Sequence, residues 1–224
     1  MPSPADLHRR AVDAVNALDF ARAQRLLDEA VALTDDVDLL ARVDGTRAYA
    51  LAATGSPDAA EQLCRDALAR TGLTATTSAI LHGQLGTLLL HRGQLEAADP
   101  HLSAGVEGTE GLEAANLLMN RSVVRMQRHR LDEAIADLEH AVTLYGSTGT
   151  PAAATEARHN LGYAALLRGD LVSALKMMSN ARPVLADAGD LAAAIADQDR
   201  AEVLRDAGLT TEAEELLRGA AARF

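Results

Sequence analysis

The clearest structural pattern in the chain is NLGYAALLRGDLVSALKMMSNAR, residues 160–182. Gly162 is followed twelve residues later by Ala174, and the pair Gly169–Asp170 lies between them. Ala, Leu and Met favour helix. Gly readily ends one helix in the left-handed conformation, and Asp caps the start of another. The stretch therefore predicts two helices joined by a tight turn, which pack closely because both carry a small residue where they cross.

Five further copies of this pattern run along the chain. Each has a small residue in its first helix, an Ala twelve residues on, an apolar residue after four more and a small residue after another three. Successive copies are 37, 38, 36, 40 and 39 residues apart. An unrelated Ala-rich bundle would not keep four positions in phase, so we predict stacked hairpins. The four columns are Ala11, Ala48, Gly86, Ser122, Gly162, Ala201; Ala23, Ala60, Ala98, Ala134, Ala174, Ala213; Leu27, Cys64, Leu102, Leu138, Met178, Leu217; and Ala30, Ala67, Gly105, Ala141, Ala181, Ala220.

Turn residues recur in the same phase. Gly is predicted to end the first helix, and Asp or Ser one residue later to cap the second. In the third copy Pro100 lies about one turn into the second helix, where it removes a backbone hydrogen bond, so we expect that helix to be kinked or short. The turn and cap positions are Gly55, Gly93, Gly169 and Gly208, and Asp19, Ser56 and Asp170.

Composition narrows the function. The 224 residues carry a formal net charge of −11, which disfavours nucleic-acid binding because phosphate contacts need clustered Lys and Arg. The start of the chain has no apolar signal core, and no 18-residue apolar run is present, so we expect a cytoplasmic protein with no membrane partner. The predominance of Arg and Ala is typical of a GC-rich genome.

No combination of residues in the sequence predicts a catalytic site or a metal site. Cys64 stands in the apolar column and is expected to be core, and none of the seven His forms the i, i+4 pair of a helical metal site. We therefore expect no catalytic residues, no metal and no cofactor. The role of one further column, a recurring Arg, has two interpretations. These Arg side chains either form salt bridges between repeats or mark a ligand-binding surface. The column holds Arg10, Arg47, Arg121 and Arg200.

The columns resemble the tetratricopeptide repeat (TPR), most clearly in Asn160–Tyr163 with Ala174 and Ala181. The resemblance implies an all-α fold, a right-handed α-solenoid of about six TPR-like hairpins in one domain over residues 1–224. The period exceeds the usual 34 residues, and we expect loose loops such as 146–151 to take up the difference. The expected hairpins span approximately 4–37, 41–75, 79–111, 115–148, 155–188 and 194–224.

A narrower resemblance rests on four runs: 120–122, 130–134, 159–163 and 199–204. Together they look like the repeat region of actinobacterial CHAT proteins, where such repeats precede a caspase-like peptidase domain. That family implies an interaction region of a larger protein. No part of this sequence reads as the peptidase domain itself.

A solenoid of hairpins binds partners on the concave wall lined by its first helices. The solvent-facing positions there include amides, which can bond to an extended peptide backbone, and Tyr side chains, which offer amphipathic surface. The predicted binding residues are Tyr49, Gln84, Thr87, His91, Asn116, Asn120, Gln127, Asn160 and Tyr163.

Two functions follow as hypotheses. The first is a non-enzymatic scaffold that binds a protein or peptide, as the interaction region of a CHAT-like or regulatory protein. The alternative is a regulatory switch whose superhelix closes on a small signalling peptide. The apolar stripe of Leu217, Ala220 and Phe224 further suggests that the last hairpin packs on a downstream domain or another chain.

Overall fold

A computed structural model describes residues 2–223, and within this range all regular structure is α-helical. The helices pair in sequence order into six hairpins, which we number 1 to 6. The prediction of twelve helices in six pairs is therefore confirmed for the described residues. The helices are α1 (Pro4–Asn16), α2 (Phe20–Val31), α3 (Val37–Ala53), α4 (Pro57–Leu68), α5 (Ala75–His91), α6 (Leu95–Glu107), α7 (Gly111–Gln127), α8 (Leu131–Ser147), α9 (Pro151–Leu167), α10 (Leu171–Asp187), α11 (Asp190–Asp206) and α12 (Thr210–Ala221).

The hairpins form two compact units, the first ending at Thr109 and the second beginning at Glu110. Within each unit, the first helix of one hairpin covers the core of the hairpin before it. Val43 of α3 joins the core of hairpin 1, and Val203 of α11 joins that of hairpin 5. Hairpins 1 and 5 therefore complete their hydrophobic cores with the next hairpin of the same unit, as repeat proteins do.

The columns of small residues lie where the two helices of a hairpin cross. Ala98 and Ala174 are fully buried. A Cβ added to Gly86 would come within 2.8 Å of the backbone nitrogen of Leu102, and one added to Gly162 would lie 3.0 Å from Cγ of Met178. The repeat pattern thus encodes close helix approach, as predicted.

The turns follow the prediction in part. The four predicted turn glycines have positive φ, between 70° and 89°, and Leu18 and His129 occupy the same place in hairpins 1 and 4 with φ of 58°. Asp19 and Asp170 accept the expected capping hydrogen bonds from backbone N–H groups. Ser56 stands at the N-cap of α4 but makes no capping bond, so that part of the prediction is wrong.

The long repeat period comes from helices, not from loose loops. The first helices α3, α5, α7, α9 and α11 each begin four residues before the expected hairpin start, which adds about one turn to each. In the expected loop 146–151, Gly146 and Ser147 belong to α8 and Pro151 is the first residue of α9. Pro suits this position because its fixed φ matches the first helical turn.

The third and last hairpins test two local expectations. Helix α6 continues through Pro100 and has 13 residues, shorter than the 17 of α8 and α10 but similar to the 12 of α2 and α4. In the last hairpin Leu217 is 46% exposed, whereas Ala220 is buried. The expected stripe is thus reduced to Leu217 among the described residues, and Phe224 lies outside them.

Candidate functional site

Within each unit, neighbouring first helices touch along a line that we call the seam, and the seam takes up part of the predicted binding wall. In the first unit, Nε2 of His8 lies 3.0 Å from Oγ1 of Thr46. In the second unit, Nε2 of His159 lies 2.9 Å from Oδ2 of Asp199. In each contact, the histidine stands three residues before the small-column residue of its own hairpin. Its partner stands two residues before the small-column residue of the next hairpin. By the same register, the predicted wall residues Gln84 and Asn160 lie beside the seams of α3 with α5 and of α7 with α9.

Gln84 illustrates the effect of the seam in the first unit. It is half-buried, and a Cβ on Gly45 of α3 would lie 2.5 Å from its Oε1. That oxygen is buried without a hydrogen-bond partner among the described residues. The side chain thus packs against the neighbouring backbone, which is possible because position 45 has no side chain.

The other predicted residues of the first unit are more open. Tyr49 is 56% exposed and His91 is also accessible. Thr87 is half-buried, and its hydroxyl donates to the carbonyl of Gly83 at 3.0 Å. Tyr49 and His91 are therefore the predicted binding residues of this unit that a partner can reach most readily.

Helix α7 carries three predicted residues of the second unit. Asn116 and Gln127 are exposed, and Asn120 is half-buried. Oδ1 of Asn116 accepts a 2.8 Å hydrogen bond from the hydroxyl of Tyr145, whose side chain is buried in the same hairpin. The amide of Asn116 therefore has a structural partner, which the sequence did not indicate.

Helices α9 and α11 bring Tyr163, one of the two remaining predicted residues, next to two carboxylates. Asn160 and Tyr163 are half-buried on α9, and Leu167 of the same helix is 40% exposed. The seam contact of His159 with Asp199 sets the register of α11 against α9. We call the resulting surface the Tyr163 patch; it consists of Asn160, Tyr163, Leu167, Asp199 and Glu202.

The electrostatics of the patch are visible at Tyr163. Partial burial raises the pKa of its phenol, and the negative charges of Glu202 and Asp199 raise it further. The phenol therefore stays protonated at neutral pH, and its hydroxyl already hydrogen-bonds to Glu202. The patch offers an aromatic ring, an amide, carboxylate acceptors and an apolar side chain, a combination suited to a peptide backbone with apolar or basic side chains.

The two seam histidines were missed as a pair by sequence reasoning. His8 and His159 both stand three residues before the small column, so their repetition was available in the pattern. Burial, followed by the charge of Arg42, lowers the pKa of His8 and keeps its ring neutral at pH 7. Their positions show that these histidines connect neighbouring hairpins.

Other kinds of site have little support in the described residues. Cys64 is fully buried, and burial together with Asp44 and Glu61 raises the pKa of its thiol to about 12, so its expected place in the core is confirmed. Within residues 2–223, no three His, Cys, Asp or Glu side chains gather as a metal site would require. None of the helices described has the length and apolar character needed to cross a bilayer.

Similarity to solved structures supports the repeat fold. BtubC (BKLC) from P. vanneervenii is 18% identical and aligns over 97% of this chain and 90% of its own, with a TM-score of 0.69. A Podosopora anserina putative kinesin light chain with nearly identical TPR-like repeats is 17% identical, over 85% and 97% of the two chains, with a TM-score of 0.65. A Rap protein complexed with competence and sporulation factor is 16% identical, over 99% and 69%, with a TM-score of 0.66.

Sequence comparisons give no closer assignment, because neither a protein-family model nor a curated protein matches the chain. With 16–18% identity, the structural similarities establish the fold alone. The chain is thus an all-α protein of TPR-like helical hairpins, and the predicted TPR resemblance is confirmed at the level of the fold.

Proposed function

We propose that this chain is a protein- or peptide-binding scaffold and that the Tyr163 patch is its main contact surface. The observation that carries the proposal is the side-by-side placement of Tyr163 and Glu202 on adjacent first helices, with the phenol half-buried and protonated. A tyrosine of this kind offers much contact area for little loss of side-chain freedom. The fold supports the same class of function, because TPR-like repeats commonly bind other proteins.

The finer proposal is a bound peptide in extended form. Asn160 would bond to its backbone, Tyr163 and Leu167 would contact its side chains, and Glu202 would attract a basic residue. Tyr49, Thr87 and His91 would form a second contact surface in the first unit, while Asn116, Asn120 and Gln127 would extend the surface along α7. We propose no enzymatic role.

The test is selection from a displayed peptide library with the full chain, followed by affinity measurements on single variants. Tyr163→Ala is expected to weaken a selected peptide by about tenfold or more, as for aromatic contact residues in other interfaces. Asn160→Ala is expected to weaken it less. Val172→Ala, at a side chain 80% exposed on α10, is the matched control and is expected to have no effect. Binding that survives both first changes would place the site elsewhere.

The wider role remains a proposal too. A cytoplasmic interaction region of a larger CHAT-like or regulatory protein would match the resemblance of runs such as 159–163, and Leu217 would then pack on a further domain or another chain. Sequencing the gene and its neighbours tests this: a caspase-like domain in the same reading frame supports it, and a gene that encodes only these hairpins contradicts it.

The alternative is a switch controlled by a small signalling peptide. It is favoured by the similarity to the Rap protein, whose structure contains competence and sporulation factor. Small-angle scattering with and without a selected peptide separates the two functions. A peptide-dependent decrease in the radius of gyration supports the switch, and an unchanged radius supports the scaffold.

A further inference from the structure

The recurring Arg column divides into paired and unpaired members. Nη2 of Arg47 donates to Asp28 of the preceding hairpin at 2.5 Å, so this Arg forms the inter-repeat salt bridge that the sequence allowed. Arg121 binds Asp137 within hairpin 4. Arg200 makes no ion pair with a carboxylate of the described residues. Arg200 is therefore the half-buried member of the column that remains open to a ligand.

The Arg121 pair shows what this position can do. Its Nε and Nη2 donate to the two carboxylate oxygens of Asp137 at 2.9 and 2.7 Å. Asp137 is buried, and Nη1 of Arg125 donates to it as well, at 2.8 Å. This is the two-point geometry in which guanidinium recognises carboxylate most specifically.

Hairpin 6 has the same guanidinium without the carboxylate. The residue equivalent to Asp137, one before the apolar column, is Leu216. Nε of Arg200 is buried and has no acceptor among residues 2–223. A buried donor without a partner is unfavourable, and the side chain of Arg200 lines an open cavity of about 430 Å³ between α11 and α12.

The charges around the cavity disfavour a doubly charged anion. Asp197 on its wall already binds Arg182 through both oxygens, each at 2.8 Å, and Arg223 at 2.6 Å, so it does not serve Arg200. Leu204 and Leu216 supply apolar wall. At the rim, the exposed carboxylates of Glu212 and Glu215 repel a doubly charged phosphate more than a carboxylate.

We propose that this cavity binds a carboxylate of a partner peptide, held by Arg200 in the way that Arg121 holds Asp137. The site is separate from the Tyr163 patch. At about 100° per residue, positions 197, 200 and 204 lie on the side of α11 opposite to positions 199, 202 and 206. An experiment that contradicts one of the two sites therefore does not contradict the other.

The first experiment follows the arginine Nε–H signals of the full chain by NMR, with sodium acetate as the probe and sodium chloride at equal ionic strength as the reference. A saturable shift of the Arg200 signal, with the Arg121 signal unchanged, is expected. No shift of the Arg200 signal with acetate would overturn the proposal. A shift of equal size with inorganic phosphate would overturn the selectivity for carboxylate.

A second experiment separates the sources of the carboxylate. One peptide has an internal Glu and an amidated C-terminus, and the other has a free C-terminus and no acidic side chain. Binding of either peptide supports the proposal and identifies the group, and binding of neither overturns it. Arg200→Gln is expected to weaken the binding by about tenfold or more, and Arg200→Lys by less. The exposed Arg10, changed to Gln, is the matched control.

A third measurement tests whether the chain fills the site itself. If Glu212→Gln or Glu215→Gln moves the Arg200 signal in the absence of any probe, an internal carboxylate already occupies the guanidinium and the proposal is wrong. An unchanged signal in both variants, together with unchanged circular dichroism, supports an open site.

Discussion

Hairpins 3 and 5 share a glycine at the helix crossing but differ in how much space surrounds it. In hairpin 3, a Cβ on Gly86 would lie 2.7 Å from the branched Cγ of Leu102 and 2.8 Å from its backbone nitrogen. In hairpin 5, a Cβ on Gly162 would lie 3.0 Å from Cγ of Met178 and 3.3 Å from the carbonyl of Ala174. The unbranched Met can move and the backbone of Leu102 cannot. An added side chain is therefore expected to be tolerated less well at Gly86 than at Gly162.

The two hairpins also differ beside the crossing. In hairpin 3 the Nδ1 atoms of His82 and His101 lie 2.7 Å apart, close enough for one ring to donate a hydrogen bond to the other, and the ring centroids lie 4.9 Å apart. Arg158 and Met177 hold the equivalent positions in hairpin 5. Hairpin 3 is thus more tightly packed, and its stability is expected to depend more strongly on pH.

The largest effect is expected from enlarging the Ala of the second helix. Ala98→Leu in hairpin 3 should destabilise the protein by about 3 kcal/mol, and Ala174→Leu in hairpin 5 by about 2 kcal/mol, because both residues are fully buried and overpacking forces the helices apart. Urea unfolding measures both. Equal losses of unfolding free energy would contradict the proposed difference in packing between the two hairpins. Unchanged unfolding midpoints would contradict the crossing geometry.

The next largest effect is expected from Gly86→Ala. The steric cost of overpacking, about 1–3 kcal/mol, exceeds the helix-forming gain of about 1 kcal/mol. A net loss of about 1–2 kcal/mol is therefore expected in the same unfolding assay. A stabilised variant would show that α6 can withdraw from α5, contrary to the short distance to the Leu102 backbone.

A smaller effect is expected from pH. Burial lowers the pKa of His82 and His101 below the usual 6.5, and the charges of His82 and Arg65 lower that of His101 further. Because the folded pKa values lie below the unfolded value, their contribution is complete above about pH 6.5 and is lost as the pH falls toward the folded values. Unfolding at about pH 7.5 and about pH 5.5, on either side of that value, should show a smaller acid-induced loss in His82→Gln than in the wild type. An identical loss would mean that other groups account for the pH dependence.

The smallest effect is expected from Gly162→Ala. The closest neighbour is the flexible side chain of Met178, and the helix-forming gain of about 1 kcal/mol offsets the remaining crowding. The free energy of unfolding should change by no more than about 0.5 kcal/mol, measured beside Gly86→Ala. A loss as large as that of Gly86→Ala would show that Met178 cannot rearrange.

The columns made the hairpins predictable because close helix packing requires small residues at fixed spacing. The additional turn of α9, from Pro151, was not predictable in this way because it brings no further small column to the crossing. Asn160 was predicted to face a partner, and its use remains a prediction. Its half-buried place beside the seam depends on how α7 and α9 pack, and helical periodicity alone does not specify that packing.

The cover that hairpin 5 receives from hairpin 6 has a consequence for folding. Removing α11 exposes the core around Met178, which Val203 closes, so fraying of hairpin 6 weakens hairpin 5 first. The Tyr163 patch spans this junction. A ligand bound there favours the docked state by mass action, in proportion to the logarithm of its concentration over its dissociation constant. Occupancy would therefore be measurable as slower amide hydrogen exchange in α11 and α12, because the ligand would stabilise the docked state of hairpin 6.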